Sequence, residues 1–357
     1  FILELVCFQS MIHNISISEI NYNQEKIMNT RVRFRKLMNF ESVDNMPIIE
    51  WAGWWDKTIE RWHSEGLHAE ITDRYDICRY FGLDIFYQDW FRPIHWTCPN
   101  PPGHGAGLIG DTSQANKRYE ELRKYFFRIE PEWPFSEKRW EEWTRHQDKG
   151  DAVIWFTMDG FFWFPRTVFG IENHLYAFYD NTELMHRINS ELAEWMIRMI
   201  ERVCKNNSPD FMTFAEDLSY NNGPMLSEEM FNEFMLPYYK MVIPELKKRN
   251  IKIFIDSDGN VNSVASWFKR AGIEGILPLE KQAGVDLALI RKDIPEMLFI
   301  GAFDKMTMYQ GEASMRQEFE RLLPVIKQGG FIVSCDHQTP PGVSLQNYRI
   351  YLDLLRE

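Results

Sequence analysis

Five short apolar runs in this chain end on acids or an imidazole, and helical segments lie between them. Phe211-Met212-Thr213-Phe214-Ala215 runs into Glu216 and Asp217, and Ile253-Phe254-Ile255 into Asp256-Ser257-Asp258-Gly259-Asn260. Gly275-Ile276-Leu277-Pro278-Leu279 meets Glu280, Leu298 to Phe303 meets Asp304, and Phe331-Ile332-Val333-Ser334-Cys335 meets Asp336 and His337. A short apolar run between turn signals reads as a strand buried on both faces, the condition of a parallel sheet. Strand, polar tip and helix in repetition display chemistry at the C-terminal face of a barrel. These acids are expected to converge on one site.

Three earlier runs extend the pattern: Pro47 to Trp51, Asp84 to Asp89, and Ala152 to Met158, the last closing at Asp159-Gly160. Eight strands with intervening helices predict an α/β fold, a single (β/α)8 TIM barrel over residues 28–357 with no inter-domain linker. Helices are expected over 31–39, 55–64, 183–205 and 314–328. The third carries Leu184, Ile188, Leu192, Met196 and Ile200 at helical spacing. Ser227 should cap a helix that Pro237 kinks, and Gly272 should close the next. The Pro/Gly-rich stretch 99–110 reads as a loop, a candidate lid. Residues 1–27 read as an extension foreign to the fold, because Phe1 to Phe8 lacks the basic region and cleavage site of a signal peptide and Met28 resembles a natural start.

Charge and cysteine usage narrow the function. A formal net charge of -12 argues against nucleic acid, which needs Lys and Arg to neutralise phosphates. No apolar run approaches the ~20 residues that span a bilayer. Five scattered cysteines without CxxC pairs suit a reducing cytoplasm. Aromatic residues make up 15% of the chain; they serve either the core or a pocket for a flat ligand.

Asp256-x-Asp258 places two carboxylates on one side of the chain, with Gly259-Asn260 turning sharply away. Two such charges ~4 Å apart repel by roughly 4 kcal/mol at an effective dielectric of ~20. Either one holds a proton or a cation lies between them, unless one caps a helix and the other pairs with Lys or Arg. With His337 they would suit a divalent metal. Asp89, set among Phe86, Tyr87, Trp90 and Phe91, is a candidate acid or base with a raised pKa. One of Glu216 and Asp217 should point inward, the other acting as a cap. Glu280 and Asp304, beside Lys305, are either substrate contacts or rim ion pairs.

The stretch Glu216-Asp217 through Gly223-Pro224-Met225-Leu226-Ser227 to Phe234-Met235-Leu236-Pro237-Tyr238-Tyr239 resembles the uroporphyrinogen decarboxylase superfamily. So do Asp258-Gly259-Asn260, Ala271-Gly272-Ile273 and the Pro-Pro segment after His337. The likeness runs from about residue 31 to the C-terminus and implies one (β/α)8 barrel with its cleft at the strand tips. It matches Asp89 to the family's catalytic aspartate and His337 to its C-terminal histidine, and sets Arg166 at the place of an active-site tyrosine. The decarboxylases carry Arg-Gln-Ala-Gly-Arg where this chain has Glu50-Trp51-Ala52-Gly53-Trp54, so both propionate-binding arginines are missing. The related corrinoid-dependent methyltransferases hold zinc with His-x-Cys-Gly-Asn and a later Cys. Here those positions hold Asp256, Asp258 and His337, a harder donor set.

The resemblance thus points to a cytoplasmic, metal-assisted methyltransferase that takes a methyl group from a corrinoid, free or on a partner protein, or from a methylated small molecule. Asp256, Asp258 and His337 would hold zinc or a harder divalent ion. Asp89, Glu216 and His337 would act in catalysis. Glu50, Trp51, Trp54, Trp90, Asp159, Arg166, Asp217, Glu280 and Asp304 would line the substrate pocket. The resemblance also admits a homodimer. The alternatives are a metal-free porphyrin-pathway decarboxylase working through Asp89, and a non-catalytic corrinoid- or tetrapyrrole-binding protein.

Overall fold

The structure, a computed structural model, describes residues 28–103, 105–130 and 133–357; the extension assigned to 1–27 lies outside them. Seven parallel strands form one curled sheet in the order β1 (Ile85–Phe91), β2 (Ala152–Asp159), β3 (Phe211–Ala215), β6 (Lys252–Asp256), β7 (Gly275–Leu277), β8 (Leu298–Phe303) and β9 (Phe331–Cys335). A small antiparallel hairpin, β4 (Ser219–Tyr220) with β5 (Gly223–Pro224), interrupts the series at the rim. Helices follow the strands, as the βαβ pattern of a barrel requires. The fold is the expected TIM-barrel type, with one departure in the wall.

That departure is the first predicted strand, 47–51, which pairs in no ladder. Pro47 has no N–H to give. The Ile48 N–H goes to the Asp84 carboxylate at 2.9 Å, and the Trp51 N–H to the Ser334 hydroxyl at 3.4 Å. The segment still fills the eighth wall position, since it touches both sheet edges. On the β9 side the Trp51 indole N–H donates to the Cys335 carbonyl at 2.8 Å. On the β1 side Arg74, from the helix Arg74–Phe81, spans the gap. Its guanidinium donates to the carbonyls of Glu50 (2.9 Å) and Trp51 (2.5 Å) and to the Gln88 side chain (2.9 Å). Side chains, with one main-chain bond from the Asp84 N–H to the Ile48 carbonyl at 2.8 Å, close this barrel in place of a β-ladder.

Strand parity sets which residues face the lumen. Phe86, Val153, Trp155, Phe211, Phe254, Leu298, Ile300 and Ile332 meet in an inner cluster at the closed end. Helix Thr30–Leu37 plugs that end with Phe34 and Leu37; Phe34 stacks 5.3 Å from Phe211, which lies 4.8 Å from Trp155. One layer higher the lumen turns polar, with Gln88 donating to Thr157 at 3.0 Å and Thr157 meeting Thr213 at 2.7 Å. The opposite faces of the strands pack on the outer helices in the larger cluster.

The predicted helices form at Thr30–Leu37, Asp56–Ser64, Thr182–Val203 and Glu312–Ile326. Ser227 caps its helix by accepting from the Met230 N–H, and Gly272 closes the later one in the left-handed region. Pro237 does more than kink. One helix ends at Phe234 and another begins at Leu236, because the proline leaves a carbonyl of the preceding turn without a partner.

Arg74→Met should destabilise the chain by about 3 kcal/mol, since three bonds to a charged donor vanish and two carbonyls of the wall lose their partner. Urea unfolding should show it, with hydrogen exchange rising first over residues 48–54. An unchanged midpoint would show that the seam is held elsewhere.

Candidate functional site

The strand tips bring Asp217, Asp256 and Asp258 together: one carboxylate oxygen from each lies within 4.8 Å of the others. Asp256 reaches the lumen by strand parity at the end of β6. Asp217 gets there by a left-handed turn (φ 43°), a conformation that Asp tolerates better than most residues. Its carboxylate then accepts the Asp258 N–H at 3.2 Å. Glycine is required at 259, where φ is 83° and a Cβ would lie 2.7 Å from the backbone of Ser219 and Tyr220. Glu280 accepts the Gly259 N–H at 3.0 Å, so the Asp-Gly-Asn turn is held from both sides.

Electrostatics here are dominated by crowding. Burial, together with the charges of Asp217, Asp258 and Glu280, holds Asp256 far above the usual carboxylate range. Asp258 is pushed up to about 7, first by burial and then by Asp217 and Glu280. Lys305 is the nearby ammonium, 2.9 Å from Asp336 and 3.8 Å from Glu280. It lowers the pKa of Asp258 but does not ion-pair with it.

His337 stands beside this trio without joining it. Its Nε2 is 3.8 Å from an Asp258 oxygen, while its Nδ1 accepts the Gln338 N–H at 2.8 Å. A neutral ring that accepts at Nδ1 carries its proton on Nε2, so toward Asp258 this histidine is a donor. The grouping expected from sequence, Asp256 with Asp258 and His337, is therefore replaced as the tightest cluster by Asp256, Asp258 and Asp217.

The other candidates divide. Asp159 points into the cleft at the end of β2, buried, with its Oδ1 accepting the Trp90 indole N–H at 2.8 Å. Arg92 lies 3.8 Å from that oxygen and stacks 4.1 Å over Trp90. Burial raises Asp159 to about 6 against the opposing charge of Arg92. Arg166 stacks 5.1 Å over Trp163, and its charge lowers the pKa of Asp217.

Asp89 does not reach the lumen. Phe86, Gln88 and Trp90 face inward, so Asp89 faces the helix Glu137–Lys149, where it takes the indole N–H of Trp140 at 3.0 Å and pairs with Arg139. Glu216 is wholly buried. It accepts the backbone N–H groups of Phe161 (2.8 Å), Phe162 (2.7 Å) and Trp163 (3.2 Å) and the Tyr239 hydroxyl. Burial still raises it to about 7. It latches the tip of β3 to the turn after β2, where only Gly160 fits, since a Cβ there would meet the Glu216 carboxyl at 2.1 Å.

Glu50 and Trp54 lie in the wall. Glu50 is buried against Ser334 and Tyr348 and pushed up to about 8 by desolvation, and Trp54 packs on Trp62 and Tyr348. Trp51 braces β9, and Asp304 caps its own turn through the Met306 N–H. Sequence reasoning missed the parity of β1, which the alternation of Phe86, Gln88 and Trp90 carries. It also missed Ala215 and Trp163, whose importance lies in position alone.

A curled parallel sheet with helices outside and acids at the strand tips defines a barrel of the α/β class. A profile for uroporphyrinogen decarboxylase (URO-D) matches residues 166–357, more than half of the chain, and the chain belongs to that family. Among solved structures, a methyltransferase from Methanosarcina mazei superposes with a TM-score of 0.59 at 12% identity, covering 92% of this chain and 98% of that one. A putative vitamin-B12-independent methionine synthase from Listeria monocytogenes gives 0.45 at 11% identity, over 88% and 96%. At 12% identity the likeness to the Methanosarcina mazei structure is one of fold. No curated protein sequence matches the chain.

Stability should record the crowding. Because Asp258 titrates near 7 folded and near its ordinary 3.8 unfolded, its contribution is complete below about pH 4 and is lost as pH rises through 7. In chelating buffer the melting temperature of the wild type should fall by about 3 °C or more between pH 5 and 8 relative to Asp258→Asn. Parallel curves for the two proteins would contradict the assignment.

Proposed function

We propose that this chain is a metal-assisted methyltransferase of the uroporphyrinogen decarboxylase family, taking its methyl group from a corrinoid or a methylated small molecule. The observation that carries this reading is the convergence of Asp217, Asp256 and Asp258, three acids too close to ionise together without a cation. Their oxygens suit a divalent ion harder than a zinc–thiolate centre would take, or zinc held less tightly. When bound, such an ion would supply Lewis acidity that lowers the pKa of a methyl acceptor.

The chain's own residues do the rest. Glu280 and Asp217 hold the Asp-Gly-Asn turn in place, and the Nε2–H of His337 offers a hydrogen bond at the edge of the trio. Trp90, bonded to Asp159, and Trp163 each lie under an arginine and offer flat faces to a substrate. A decarboxylase for a polycarboxylated tetrapyrrole has less support, because Asp159, Asp217, Asp256, Asp258 and Glu280 would repel such a substrate, and Arg92 and Arg166 are few against it.

Metal content by mass spectrometry, on protein purified without chelator and then offered zinc, manganese or magnesium, tests the reading. About one divalent ion per chain is expected, lost in Asp217→Ala and in Asp258→Ala and retained in His337→Ala. Failure of the wild type to bind any of the three would remove metal assistance.

A further inference from the structure

The register of the sheet carries a second point about the same cleft. Asp159 pairs with Ala215, and Ala215 pairs with Asp256, so two inward carboxylates lie level on alternate strands with a methyl group between them. At about 4.8 Å per strand spacing they stand about 10 Å apart, with Ala215 as the floor. Of the two Asp159 oxygens, Oδ1 is held by Trp90, while Oδ2 has no hydrogen-bond partner among the described residues. The carboxyl is oriented and desolvated, and one oxygen remains free to exchange a proton.

We propose that Asp159 is the general acid–base of the reaction, a role that the outward-facing Asp89 cannot fill. The assignment rests on the methyl-transfer reading. In the transfer, the bond from the acceptor heteroatom to the methyl carbon forms. The bond from methyl to donor breaks, its electron pair staying with the donor. The proton on the acceptor heteroatom passes to Asp159 Oδ2. In the reverse direction Asp159 returns that proton to the leaving heteroatom. Trp90 holds Oδ1 in place, and the charged and titratable groups on flanking elements are Arg92 on the β1 side, Arg166 after β2 and Asp256 across Ala215. A carboxyl poised near 6 suits exchange in both directions close to neutral pH.

The test is the rate–pH profile of methyl transfer from methylcobalamin to a small thiol, with metal-loaded wild type, Asp159→Asn and Asp159→Glu. Asp159→Asn should lose about 100-fold or more in kcat, lose the limb near pH 6, and keep its metal content. Asp159→Glu should recover part of the rate with the limb displaced. An Asp159→Asn profile that follows the wild type overturns the proposal.

If the wild type does not turn over, the methyl-transfer reading has failed, and infrared difference spectra of wild type against Asp159→Asn still decide the role of Asp159. A carboxyl stretch that titrates near pH 6 and moves when Arg92→Gln removes the guanidinium 3.8 Å from Oδ1 supports a proton-exchanging group in the cleft. A carboxylate at every pH, or a band indifferent to Arg92, overturns it.

Discussion

The open end of this barrel depends on a seam that the Arg74 guanidinium helps to close, beside the Asp84 N–H bond to the Ile48 carbonyl and the Trp51 indole bond to Cys335. Without the Arg74 bonds to Glu50, Trp51 and Gln88, the carbonyls of Glu50 and Trp51 would lose these partners beside β1, and buried unpaired carbonyls are costly. Closing the wall curls the sheet and brings the tips of β2 and β9 toward one axis. Only then do Asp159, the aspartate trio and His337, drawn from strands far apart in sequence, share a cleft. A charged side chain in a wall is expensive to bury, and here the carbonyls that lost their ladder offset that cost.

The second constraint is electrostatic and works against folding. Strands that put small residues and acids at their tips gather like charges into a partly desolvated space, where each raises the others' pKa. The chain tolerates this because the surrounding core is large and aromatic, with Phe34, Trp155 and Phe211 stacked beneath the polar layer. Stability is accumulated at the closed end and spent in part at the open one, the arrangement expected of a site whose charges await a counterpart.

Much of the architecture was legible in the sequence because periodicity is a strong signal. Seven of eight strands, the long amphipathic helix and the Ser227 cap follow from residue pattern alone. The eighth strand was not, because Pro47 and the side chains of Asp84 and Ser334 capture bonds that a ladder would need, and no local pattern reports a distant serine. The site was half legible. Acids at strand tips mark the right rim, but parity within β1 decides that Trp90 and not Asp89 faces inward. The roles of Glu216 and Asp217 depend on a left-handed turn at Asp217, a backbone fact invisible to composition. His337 illustrates a subtler limit, since its tautomer follows from the Gln338 N–H.

The Glu216 latch bears on how such a rim diversifies. Its carboxyl binds three backbone amides and not their side chains, so the turn after β2 keeps its shape whatever letters occupy its exposed positions. Trp163 and Arg166 can therefore be exchanged without disturbing the scaffold that presents them. Natural variation in the ligand accepted by barrels of this kind should concentrate there, while Glu216 and Gly160 stay invariant as the hinge of an interchangeable plate.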